Sequence, residues 1–130
     1  MHSRRITRDE TGQTMAEFAI VLPVLCVLLF GIIQLGIVFN NYVTLTDATR
    51  AGARKGAVGR QLPNPQGSTI SAVRSSAADL NQTKLAVTVT STWQPSADVT
   101  VNATYPYSIS LLGMVVKSGR LTSTTTERVE

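Results

Sequence analysis

The chain has 130 residues, a formal net charge of +4, one cysteine and one histidine. That length holds one small domain beside any membrane segment, and a lone cysteine excludes an internal disulfide. The basic surplus lies after residue 39, nine Lys/Arg against five acids, scattered apart from Arg50, Arg54, Lys55 and Arg60, which fits a solvated face better than a nucleic-acid footprint.

Residues 1–12, MHSRRITRDETG, are polar and charged, with Arg4, Arg5 and Arg8. They resemble the n-region of a targeting segment, and His2, the sole histidine, sits among them, which leaves little room for a metal site or a histidine-based catalytic group. The apolar segment after them is too long for an ordinary secretory signal. Phe18 to Phe39 is a run of 22 residues with no charge and one polar side chain, Gln34. As a helix it is about 33 Å long, enough to cross a hydrocarbon core. A single segment cannot close a barrel, so it must satisfy its backbone as a helix. Cys26 lies within it and behaves as a small apolar side chain. Basic residues flank the run on both sides, but the arginines before it are nearer than any after it. This places the N-terminus on the cytoplasmic side.

A carboxylate stands at the mouth of the run, five residues beyond a glycine, in Gly12-Gln13-Thr14-Met15-Ala16-Glu17. This Gly-x-x-x-x-Glu arrangement, with arginines upstream and the apolar run downstream, resembles the processing signal of type IV prepilins. With Phe18, Pro23, Gly31 and Asn40-Asn41-Tyr42 it resembles more narrowly the TadE-like pilins and pseudopilins of tight-adherence (Flp-type) pilus systems. The resemblance covers about residues 10–60. It implies a leader at 1–12 removed after Gly12 by a prepilin peptidase, with Gly12, Gln13 and Glu17 as the processing residues. It also implies residence in the cytoplasmic membrane in contact with lipid. A pilus assembly platform would then transfer the chain into a surface pilus with other pilin subunits. Two readings of Glu17 coexist. Thr14 and Glu17 have the spacing of a capping box, and the carboxylate suits the positive end of a helix dipole. A carboxylate near lipid also needs a partner. The resemblance implies the freed amine of Gln13, in the same chain or the next subunit. Pro23 leaves the carbonyl of Ala19 without its usual donor, either as an ordinary transmembrane proline or as a point where the helix yields during assembly.

From Asn40 to Gly59 helical spacing continues at lower hydrophobicity, so one helix is expected over 13–60 with its span at 18–39. Ala48, Gly52 and Gly56 form a stripe of small residues that permits close helix approach. With Glu17, Phe18 and Pro23 they are expected to serve subunit assembly, the alternative being packing on the chain's own domain. Asp47, Arg50 and Arg54 have i,i+3 and i,i+4 spacing for charge contacts. Gly59 ends the helix, and Leu62–Ser68 is a linker. Ser68 then caps a short helix with Ile70, Val73, Ala77 and Leu80 on one face. Leu85–Thr90 and Val99–Tyr105 alternate as strands around the turn Gln94–Asp98, beside which Trp93 reads as an anchor. Pro106 interrupts the second strand, and Ser108–Val116 becomes a short helix or hairpin tip lying against the sheet. Leu121–Val129 makes a last strand.

The fold class is therefore α+β: a long N-terminal transmembrane helix followed by a head, residues 61–130, of one helix and an antiparallel sheet. No catalytic constellation, cofactor motif or metal-ligand cluster accompanies it, and the expected role is structural rather than enzymatic. The other reading is an uncleaved, signal-anchored accessory protein that binds partners through its head.

Overall fold

The computed structural model describes residues 10–130, with side chains from residue 12 on. Helix α1 spans Glu10–Val58, 49 residues without a break, which is about 74 Å of helix. It ends where expected. Gly59 N–H turns back to the Gly56 carbonyl at 3.1 Å, and Lys55 in the last turn complements the C-terminal dipole. Helix α2, Pro65–Ser76, begins earlier than the sequence suggested. Its N-cap is Asn64 rather than Ser68: the Asn64 side-chain oxygen accepts from Gly67 N–H at 2.9 Å, and Pro65 occupies the first turn.

Three strands follow, β1 at Ala86–Thr90, β2 at Asp98–Leu111 and β3 at Met114–Arg128, forming an antiparallel sheet in the order β1-β2-β3. The α+β class holds. Both long strands exceed their expected lengths, and the reason is the short first strand. β1 leaves β2 at the Ala86↔Thr104 pair, so from Tyr105 onward β2 has one neighbour only. Pro106, paired with Arg120, has no ladder partner on its other side to lose, and an edge strand tolerates proline there. Ser108–Val116 is thus the hairpin tip rather than the short helix of the two forms expected, and it extends beyond the sheet instead of lying against it. It is the end of a two-stranded ribbon closed by Leu112 and Gly113, at φ 52° and 82°. Positive φ at both central residues marks a type I′ hairpin turn, and a leucine in that conformation costs about 1–2 kcal/mol. Near the middle of the ribbon the Tyr107 ring lies over Gly119, where an added Cβ would meet ring atoms at 3.0 Å.

The core lies between the sheet and the C-terminal half of α1. Leu45, Ala48 and Ala53 of α1, Val73 and Ala77 packed beside them from α2 and its C-cap, and Val99, Val101 and Ala103 of β2 are all 0% exposed. Leu80, Leu85, Val89 and Val129 complete this cluster, while Ile70, Val87 and Trp93 are half-buried against it. Gly52 and Gly56 set how closely the layers approach. A Cβ on Gly52 would strike the Val73 side chain, and one on Gly56 would come within 2.8 Å of Val99 Cγ1 and 3.0 Å of Thr69 Oγ1. A buried hydroxyl cluster ties the same helix to β3: Thr49 Oγ1 donates to the Thr46 carbonyl at 2.9 Å and lies 3.1 Å from Ser123 Oγ and 2.9 Å from Thr125 Oγ1.

Two expectations change here. The stripe Ala48, Gly52 and Gly56 does not face other subunits; α2 and β2 of its own chain cover it. The head also draws part of its core from residues 45–57, so residues 61–130 alone lack one layer.

Candidate functional site

The other half of α1 has nothing packed on it. Among the described residues its most apolar stretch is 0% buried within the chain. Phe18, Ile20, Leu28, Phe30, Ile33 and Ile37 are among the large apolar side chains left exposed there. Their positions cover every face of the helix, so no single stripe is set aside for a partner. A helix apolar all round and unburied matches hydrocarbon rather than water or a one-sided groove. Nothing lies within 4 Å of a Cβ placed on Gly31 or Gly36.

Pro23 sits inside this stretch without ending the helix. Together with Val24, Val27 and Leu28 it lines a shallow apolar recess of about 290 Å³. Cys26, one turn on, is exposed on the same apolar cylinder.

At the mouth of the apolar run, Gly12, Gln13 and Glu17 are exposed on α1. Gln13 Nε2 donates to Glu17 Oε1 at 3.2 Å, an i,i+4 contact. Positions 13 and 17 therefore share one face of the helix, one turn apart. Thr14, by contrast, is four residues inside α1 rather than at its start. A capping residue needs non-helical backbone, so the Thr14–Glu17 capping box is not formed in this chain. Arg4, Arg5, Arg8 and His2 of the expected leader lie outside the described residues. Further along, Asp47, Arg50 and Arg54 are carried on α1 beside the head, and among the described residues the one ion pair joins Arg128 to Asp98 at 4.0 Å, at the far end of the sheet.

The arrangement therefore separates two halves of one helix. The first is an exposed apolar cylinder with a glycine and a carboxylate at its mouth; the second is the spine of a folded head. Residues 12–54 match the TadE-like protein family. The TadE-like segment contains Gly12, Glu17, the whole uncharged run and the core-facing Ala48 and Gly52. It stops four residues before the end of α1, so the sheet lies outside the match. No curated protein and no solved structure matches the chain.

The site residues divide unevenly after this. Gly12, Gln13, Glu17, Phe18 and Pro23 lie together on the unburied half of α1, whereas Ala48, Gly52 and Gly56 lie in the head's core. What sequence reasoning missed is that the apolar hairpin tip, Leu112 to Val116, stays exposed instead of packing on the sheet. Its signal was present as an aperiodic apolar run around a glycine, with no polar residue to mark a turn.

Proposed function

We propose that this chain is a pilin, minor pilin or pseudopilin of a tight-adherence pilus, cut after Gly12 by a prepilin peptidase and assembled through the apolar half of α1. The observation that carries the reading is an uncharged, wholly unburied helix, within the TadE-like segment, continuous with a folded head. Before assembly the run Phe18–Phe39 lies in the cytoplasmic membrane with the N-terminus inside. After assembly the same surfaces bury one another in a filament, with the heads outside. Apolar area moves from lipid to protein, so the driving force is close packing rather than removal from water. The recess beside Pro23 is a place where a neighbour's side chain fits.

Glu17 has a defined part in this. Cleavage would leave the amine of Gln13 as the new terminus, and the shared face of positions 13 and 17 brings that cation within a turn of the carboxylate. A desolvated carboxylate is far less costly when paired. The amine of the same chain or of the next subunit would supply the pair.

The decisive experiment is N-terminal sequencing of the chain expressed with and without the peptidase, together with imaging of surface filaments and identification of their subunit. A terminus at Gln13 that depends on the peptidase, and recovery in filaments, is the expected result. Gly12→Leu should keep the leader attached, because a peptidase must admit extended backbone at that bond. A terminus unchanged by the peptidase would leave the signal-anchored accessory protein as the reading.

A further inference from the structure

We propose that the β2–β3 hairpin tip, Leu111 to Val116, seats in the headgroup layer of the bilayer that α1 crosses, giving the head a second contact with lipid. Four large apolar residues of the tip are left unpacked: Leu112 is 79% exposed, Met114 71%, Val115 65% and Val116 63%. They surround a tight turn whose first central position holds a leucine at φ 52°, where asparagine, aspartate or glycine ordinarily sits. Neither packing nor turn chemistry within this chain accounts for the apolar choice.

The level of the tip follows from how β3 lies along α1. Thr49 meets Ser123 and Thr125 through its hydroxyl, and Glu130 N–H donates to the Ala57 carbonyl at 3.0 Å. Residue numbers thus rise together along helix and strand, so the hairpin end of β3 points toward the apolar half of α1. Between these two contacts α1 advances eight residues, about 12 Å, while β3 and the two residues that follow it advance five to seven, about 17–23 Å if extended. Half to seven-tenths of the strand length therefore runs along the helix axis. From Ser123 back to Gly113 is ten residues, which drops the tip about 17–23 Å below Thr49 along that axis. From Thr49 back to Phe39 is also ten residues, about 15 Å. The tip is level with the last turns of the uncharged run.

The flanking chemistry suits that level. Lys117 and Arg120 are exposed on the head side of the tip, placed to keep their charges among phosphates while the apolar end goes deeper. Tyr107, across the ribbon from Gly119, and Tyr42, just past Phe39 on α1, supply the amphipathic rings that favour a membrane–water boundary.

This inference rests on the reading that Phe18–Phe39 lies in lipid, and the test separates the two. The full chain, with Cys26→Ala, would carry a single cysteine at Leu112, Val116, Phe39 or Ser96. All four side chains are exposed, so labelling should leave the core intact. Each would bear an environment-sensitive fluorophore in vesicles of phosphatidylethanolamine and phosphatidylglycerol, with and without brominated acyl chains. The expected result is a blue shift and brominated-lipid quenching at Leu112 and Val116 comparable with Phe39, and neither at Ser96. Quenching at Phe39 with Leu112 and Val116 behaving like Ser96 would overturn the proposal and leave the span intact. Tip probes shielded from aqueous iodide but unquenched by lipid, with cysteine cross-links between copies, would overturn it in favour of a contact with a second copy. No quenching at Phe39 would remove the membrane reading, and the proposal with it.

Discussion

Glycines 31, 36, 52 and 56 occur in one helix, yet their surroundings differ completely. Nothing approaches the first pair, while Val73, Val99 and Thr69 crowd the second. Gly52→Ala gains about 1 kcal/mol of helix propensity and must still displace Val73, an overpacking cost of about 1–3 kcal/mol. The head should melt at lower temperature, and Gly52→Leu should lower it further. Gly31→Ala, measured the same way, should leave head melting unchanged. Thr49→Val strands the buried Ser123 hydroxyl and should cost about 1–3 kcal/mol, read from the denaturant midpoint of the same protein. Glu17→Gln tests assembly rather than stability. The Gln13–Glu17 contact is worth about 0.2–0.5 kcal/mol as a surface helix pair, so its loss should not affect insertion. If the carboxylate pairs with an amine in the filament, fully cleaved Glu17→Gln should remain in the membrane and be missing from filaments. Wild-type filament yield from cleaved Glu17→Gln would retire the pairing.

At the scale of elements, what could be read beforehand depended on how local the cause was. The uncharged run, the glycine–glutamate spacing and the end of α1 at Gly59 are set by neighbouring residues, and all were readable. The start of α2 was readable too, since Asn64-Pro65 is a helix-start signal, but Ser68 four residues on offers the same cap chemistry. The lengths of β2 and β3 were not, because Pro106 is tolerated only where β1 has already left the ladder, and no residue near Pro106 records that. The small stripe was ambiguous for a deeper reason. Alanine and glycine at four-residue spacing permit close approach to any neighbour, and only the folded chain shows that α2 and β2 take the place. The same layering bears on the head as a fragment. Residues 62–130 lack the layer containing Leu45, Ala48 and Ala53, whereas 40–130 retain it. Circular dichroism should show the longer fragment melting cooperatively and the shorter one without a cooperative transition. Equal cooperativity in both would mean that α1 is dispensable to the core.

Taken whole, the molecule has no hinge between the exposed apolar half of α1 and the part that carries the head, since α1 passes through Asn40–Tyr42 without interruption. Rotation is therefore transmitted as along a shaft. Each residue added to a helix turns everything beyond it by about 100°. Glu17 and Pro23 thus have a fixed azimuth relative to Gly52 and the sheet, and that angle decides which side of each head faces its neighbour in an array of identical subunits. Two residues inserted after Gly36 would swing the head by about 200°, while seven would return it to within about 20° at the cost of a longer span. If neighbouring heads must meet in one orientation, the two-residue insertion should abolish filaments while the seven-residue one partly restores them, with both chains folded and membrane-bound. Periodicity with insertion length, rather than length itself, would show that the helix sets the phase of the assembly.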